Sequence, residues 1–249
     1  MESLINNELQ IYRGKDFIIK EGIIISQPTL DEICNYGERE YFQLIHTFTS
    51  TPADLKWQLD ESGIDYTQIS DFELFYHMTY RMFTKEMTSI IFGDLDWSKF
   101  QRYSQAQDDS EKLILYHPDD NIVVDEFTYL LITEVLRKIH GLKRNNQLPG
   151  NETTKRILIE DAKEEYLANK NREYRSQLKN LISAMINSEG FKYNHSEVWN
   201  MKINAFMDSV QRISKIQNAN LLLQSGYSGY GISLKDVDKQ QLNWLGDLE

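Results

Sequence analysis

Cysteine is almost absent from this 249-residue chain, in which Cys34 is the single example. One thiol excludes an internal disulfide and any metal cluster of several thiolates within one chain. Long apolar runs are absent as well, since no segment approaches the roughly 18–20 residues that a membrane-spanning helix needs. The opening residues, MESLINNELQ, lack the basic start and apolar centre of a signal peptide. We therefore expect a protein of the reducing cytoplasm that does not bind a membrane.

Recognisable catalytic motifs are missing too. The sequence has no Walker loop, no GxGxxG, no GxSxG and no HExxH motif. The histidines are scattered without metal-ligand spacing, and we expect them at the surface or at helix caps: His46, His77, His117, His140 and His195. These absences predict a protein that is not an enzyme and that has no catalytic residues, no metal and no cofactor.

Asp94 and Asp96 form an acidic pair that invites a metal or acid–base interpretation. Two carboxylates are, however, only part of the oxygen ligand set that a bound Ca²⁺ needs. A calcium loop that began at Asp94 would also place Gln105 at its twelfth position, where Glu is needed. A turn with a helix cap is the preferred interpretation.

Positive charge is scarce in the first half of the chain. Residues 1–140 carry 25 acidic and 12 basic side chains, whereas residues 141–249 carry 13 acidic and 15 basic ones. This balance opposes general binding to nucleic acid, which relies on clustered Lys and Arg. It is consistent with a soluble acidic surface or with an acidic face that meets a basic partner.

The chain does contain strong helical patterns and a few short strand patterns. LQIY and FIIK-EG-IIIS in residues 9–25 predict N-terminal β strands, and Leu113–Tyr116 with Ile122–Val124 predict one central β-hairpin. Thr29 and Glu32 form a capping box before a helix that Gly37 should kink or break. The predicted fold is mainly α with small β elements, and its helical core surrounds a long C-terminal helix.

That C-terminal helix has the clearest pattern. Apolar side chains recur at steps of four and three and share one face: Trp199, Ile203, Phe206, Val210 and Ile213. Asn194 or Ser196 is its predicted N-cap, and Gly226 its predicted end. We expect this helix to be part of the core.

Four other helices are predicted upstream. One begins at Ser70 and carries an aromatic-rich stripe of Tyr76, Tyr80, Phe83, Met87 and Ile90. Another, over residues 127–139, is apolar on most of its circumference and should be buried, with Gly141 at its end. A polar helix over residues 154–169 should be solvated, and an amphipathic one follows at residues 174–185.

These patterns divide the chain into four parts. Residues 1–140 form an acidic α+β region, 141–153 a linker or exposed loop, 154–231 a helical region and 232–249 a C-terminal tail. The tail follows a predicted hinge of tyrosine and glycine. Either it folds back on its own core, or it docks an apolar face in the groove of a partner. The residues predicted to bind a partner are Tyr227, Tyr230, Leu242, Trp244, Leu245 and Leu248.

Several segments also resemble a family found in phages and prophages of Gram-positive bacteria. They are QPTLDEICNYGEREYF, ISDFELFYHMT, IFGDLDWSKF, the hairpin with VVDEFTY, GFKYNHSEVWNMKINAFMDSVQRI and the closing SGYSGYGISLKDVDKQQLNWLGDLE. Together they cover most of the chain in the same order, although none is a catalytic signature. Members of that family are encoded in the tail-morphogenesis region, near the tape-measure gene.

The resemblance implies one of two roles. The first is a tail assembly chaperone that binds a tail protein, with the tape measure as one candidate, and keeps its apolar stripes from aggregating. The second is a minor tail or baseplate subunit that stays in the virion. The implied partners are phage tail proteins, either the tape measure or tube and baseplate components. The implied location is the host cell cytoplasm or the virion tail, and the oligomeric state is left open.

Overall fold

The computed structural model describes residues 8–107, 110–228, 231 and 233–248. Within them, helices dominate, and the strands form a two-stranded and a three-stranded sheet. This confirms the predicted mainly α fold with small β elements and a long C-terminal helix. The largest cluster of buried apolar side chains runs from Ile11 to Phe206 along the chain. The predicted division into four parts stays a prediction.

The N-terminal segment corrects one predicted strand. Glu8–Tyr12 is a short helix, α1, in which Ile11 is buried while Leu9 and Tyr12 are exposed. A single turn of helix buries one residue in this way, whereas a strand would have buried alternate ones. The second predicted strand is confirmed as an antiparallel hairpin of β1, Phe17–Lys20, and β2, Ile23–Ile25.

Helices α2, Leu30–Tyr36, and α3, Glu38–Thr49, follow. The predicted capping box is present, because the Thr29 hydroxyl accepts from the Glu32 N–H at 3.1 Å and the Glu32 carboxylate accepts from the Thr29 N–H at 2.6 Å. Gly37 has a φ of 111°, a conformation that side chains rarely adopt, and the helix breaks there as predicted.

The predicted helix from Ser70 is interrupted. The structure has α4, Lys56–Glu61; α5, Asp71–Leu74; a π turn, Phe75–Thr79; a 3-10 turn, Tyr80–Met82; and α6, Lys85–Phe92. Phe83 is extended, and the Thr84 hydroxyl accepts from the Met87 N–H at 3.3 Å, so a new helix starts there. Tyr76, Tyr80 and Phe83 are buried, but Met87 lies after the break and is 39% exposed.

The three-stranded sheet contains β3, Gln101–Gln107; β4, Ser110–His117; and β5, Ile122–Val124, all antiparallel and in that order. The predicted hairpin is the pair β4–β5. Strand β3 was not predicted, because QRYSQAQ has no alternation of apolar and polar residues. Just before β3, the Asp96 carboxylate accepts from the Ser98 N–H at 3.0 Å and caps a 3-10 turn, as the preferred interpretation predicted.

Helix α7, Glu126–His140, is buried along most of its length and ends at Gly141 in a left-handed conformation, as predicted. After the loop of residues 142–151 comes α8, Glu152–Asn169, which has no buried residue. It packs on α4 through one edge, where Tyr166 meets Trp57 at 4.9 Å between ring centroids. Helix α9, Gln177–Ile186, then buries Leu178, Ile182 and Met185.

The long helix α10 is Ile203–Tyr227, so its predicted start is wrong and its end lies one residue past the predicted Gly226. Asn194 does cap a turn, accepting from the Ser196 N–H at 2.9 Å, but that turn leads only into a short 3-10 segment over Val198–Asn200. Backbone hydrogen bonds from Leu30 N to Met201 O and from Ile203 N to Pro28 O, both 3.0 Å, then hold the chain extended. The helix therefore starts only after this crossing, and it continues past Gly226.

Candidate interaction surface

Only the first turns of α10 belong to the core. Ile203 and Phe206 are fully buried, whereas Val210 and Ile213 are half-buried at the edge of the core. Further along, Ala219 is also fully buried, although the residues around it are largely exposed. Ala219 and Gly226 are seven residues apart and share a face of the helix. A segment of chain must therefore cover this face.

The covering segment is the C-terminal tail, which folds back along α10. Leu234 packs so closely on Gly226 that a Cβ atom built there would lie 2.2 Å from the Leu234 Cγ. The tail includes one further helical turn, α11, Lys239–Leu242, which contacts α10. The lack of a side chain at Gly226 thus allows Leu234 of the tail to approach α10 closely, and α10 includes Gly226.

Polar contacts hold the tail at its far end. The Arg212 guanidinium donates to the carbonyl oxygen of Gly246 at 2.8 Å and also to that of Trp244. Lys215 donates to the carbonyl oxygen of Asp247. The space between tail and helix is a cleft of about 710 Å³, lined mainly by polar residues such as Ser214, Asn218 and Gln240. Exposed hydrogen bonds of this kind contribute about 0.5–1.5 kcal/mol each, so the tail is held without becoming part of the core.

The structure separates the residues predicted to bind a partner. Leu242 and Leu248 are half-buried in the tail that covers α10. Trp244, Leu245 and Tyr227 remain exposed, at 45%, 73% and 80% of their surface. Tyr230 lies outside the described residues. The tail thus folds back on its own chain and at the same time leaves Trp244 and Leu245 accessible.

No group of three or more His, Cys, Asp or Glu side chains among the described residues could hold a metal ion. None of the helices in the described ranges combines the length and apolar character of a membrane span.

Two histidines are buried, contrary to the prediction of surface or capping positions. His117 and His140 are 1% and 3% exposed. Burial lowers the pKa of His140 from 6.5 to about 4, so its ring is neutral near pH 7. Its Nδ1–H donates to the Leu136 carbonyl at 2.7 Å, and Nε2 accepts from the Tyr41 hydroxyl at 2.6 Å. Both ring nitrogens are therefore occupied within the core.

A second polar cluster that the sequence analysis missed surrounds Asp71. Its carboxylate is 2% exposed and receives two hydrogen bonds from the Arg144 guanidinium, at 2.9 and 2.8 Å. Arg137 lies 3.8 Å away and donates to the Thr49 carbonyl at 2.6 Å. These contacts link α3, α5, α7 and the loop after α7. Asp71 was visible in the sequence only as a residue of a helix start.

Residues 169–249 match the family model described as the YomV second domain. YomV is a phage or prophage-region protein, so the match suggests a phage-associated protein. The matched segment contains α9, α10 and the tail. No curated protein and no solved structure matches the chain.

Proposed function

We propose that this phage-associated chain is a binding protein without catalytic activity, which acts as a chaperone in the assembly of the phage tail. In this role it binds a tail protein in the host cytoplasm while the virion is being built. The tape measure is one candidate partner. The observation that carries the proposal is the exposed pair Trp244–Leu245, displayed on a tail that is held against α10 largely by polar contacts.

The pair has the character of an anchor for another polypeptide. Single apolar residues at a surface are ordinary, but a tryptophan beside a leucine exposes a compact apolar spot. Buried aromatic anchors contribute most of the binding energy in many protein interfaces. The pair lies in the segment that matches the YomV second domain.

The charge distribution supports a protein partner over nucleic acid. The acidic excess of residues 1–140 repels a phosphate backbone. The same excess discourages non-specific association of the chain while it is free. A tail protein with a basic or apolar surface would be compatible with the acidic region and with the exposed Trp244–Leu245 pair.

The proposal is tested by affinity capture from cells in which the phage replicates. Leu245→Asp should lower the recovery of the captured tail protein roughly tenfold, because an apolar contact is replaced by a charge that must be desolvated. Leu148→Asp is the matched control, since Leu148 is 74% exposed in the loop after α7. Equal recovery with both variants would contradict the proposal.

Mass spectrometry of purified virions distinguishes the chaperone from a minor tail or baseplate subunit. A chaperone leaves the assembly, so the chain should be absent from finished particles or present in trace amounts. Abundant copies in finished particles would contradict the chaperone and identify a structural subunit.

A further inference from the structure

A second surface, separate from the tail, is an apolar cavity of about 450 Å³ between α2, α9 and the turn before α10. Its walls include the buried side chains of Leu30, Leu178 and Ile182, together with the half-buried Trp199. Exposed Cys34 also lines it. No residue of α10 or of the tail lines this cavity, so its own chain does not fill it with those elements.

Lys179 and Glu38 are the Lys, Arg, Asp and Glu residues that line the cavity. Lys179 lines the cavity, is exposed and has no ion pair among the described residues. Glu38 also lines it, but its carboxylate accepts from the N–H groups of Gln177 and Leu178 at 2.8 and 2.9 Å and so caps α9. A binding segment with apolar side chains and an acidic residue close to them therefore suits the cavity.

The end of the tail has this chemistry. Trp244 and Leu245 are the exposed apolar residues, and residues 240–249 contain two acids, Asp247 and Glu249, and no base. Arg212 and Lys215 hold the backbone of this segment by its carbonyl groups, which leaves both apolar side chains pointing away from the contact.

We propose that the Trp244–Leu245 pair of one chain docks in the cavity of a second copy of the chain, with Asp247 next to Lys179. The contact buries the exposed pair against apolar walls and places opposite charges together. This goes beyond the proposed function, because it needs no tail protein and is measured on the purified chain. A tail protein that binds the same pair would compete with it.

Sedimentation velocity on the full-length chain tests the proposal. We expect association that increases with protein concentration and weakens with added salt. Lys179→Glu should weaken it about tenfold, because two acidic groups would then face each other. Lys170→Glu makes the same charge change at an exposed position away from the cavity and should leave it unchanged. Combining Lys179→Glu with Asp247→Lys should restore association.

Cys34, as the native cysteine of the chain, provides an independent measurement. Oxidation of the Leu245→Cys variant should produce a dimer in which peptide mapping finds Cys34 joined to position 245, because a disulfide forms only when the two Cα atoms come within about 7 Å. Leu148→Cys, at equal exposure, should give no such linkage to Cys34. A chain that stays monomeric at every concentration, or whose association ignores the charge reversals, overturns the proposal.

Discussion

At the scale of single residues, His140 connects the stability of the fold to pH. In the folded chain its pKa is about 4, because burial disfavours the charged ring. In the unfolded chain it returns to about 6.5. Between these values the unfolded state binds more protons, so the free energy of unfolding must fall as pH decreases from about 6.5 to about 4.

His140→Gln should remove this part of the pH dependence. We expect the wild-type chain to lose up to about 1.4 kcal/mol of stability per pH unit in that window through His140, and the variant to lose less. The variant should also be less stable at pH 7, since it disturbs a buried site. Urea unfolding at several pH values measures both, with His77→Gln as the exposed control. Equal slopes in the wild type and in His140→Gln would show that the ring is not buried as a neutral group.

Asp71 presents a different situation, because its partners stay charged when it is replaced. Asp71→Asn removes the carboxylate that lies 3.8 Å from Arg137, which is 8% exposed. Removing one partner of a buried ion pair costs about 3 kcal/mol. Arg144→Gln should cost less, because the Arg144 side chain is 46% exposed and Arg137 still faces Asp71. Denaturant unfolding gives both values, and the reverse order would contradict this assignment.

At the scale of elements, the contact between α10 and the tail depends on Gly226. Gly226→Ala should push Leu234 away while favouring the helix itself. We therefore expect faster tryptic cleavage after Lys235 and Lys239 in the tail with no loss of thermal stability. Gly150→Ala is the control, because a Cβ atom there meets nothing within 4 Å. Unchanged cleavage would mean that the tail does not rest on Gly226.

The predictions of helix boundaries were right where one local sequence signal determines the boundary. They were wrong where a contact with a distant part of the chain determines it. The capping box at Thr29 and the stop at Gly141 are local, and both were predicted. The start of α10 depends instead on backbone hydrogen bonds to Pro28 and Leu30, far away in the chain. The aromatic stripe after Ser70 predicts one helix, because its spacing of four and three residues continues across the break at Phe83 and Thr84.

At the scale of the whole molecule, the sequence predicted the fold class and the apolar tail residues, but it left the position of the tail open. The tail folds back where α10 presents small residues, Ala219 and Gly226, that allow another segment to approach closely. Nothing in the sequence around these two residues indicates that the tail covers them. The structure combines the two alternatives, since the tail folds back with Leu242 half-buried while Trp244 and Leu245 stay exposed. The apolar cavity beside Cys34 is assembled from distant segments, which no local pattern reveals.

The central claim is that the tail serves binding and contributes little to the core. Removing residues 232–249 and measuring the melting temperature and the recovery of the tail protein on one preparation tests it most directly. We predict a melting temperature within about 4 °C of the full chain, which corresponds to about 1 kcal/mol for a domain of this size, together with loss of the captured partner. A truncated chain that melts far earlier, or that still captures its partner in full, would contradict the account.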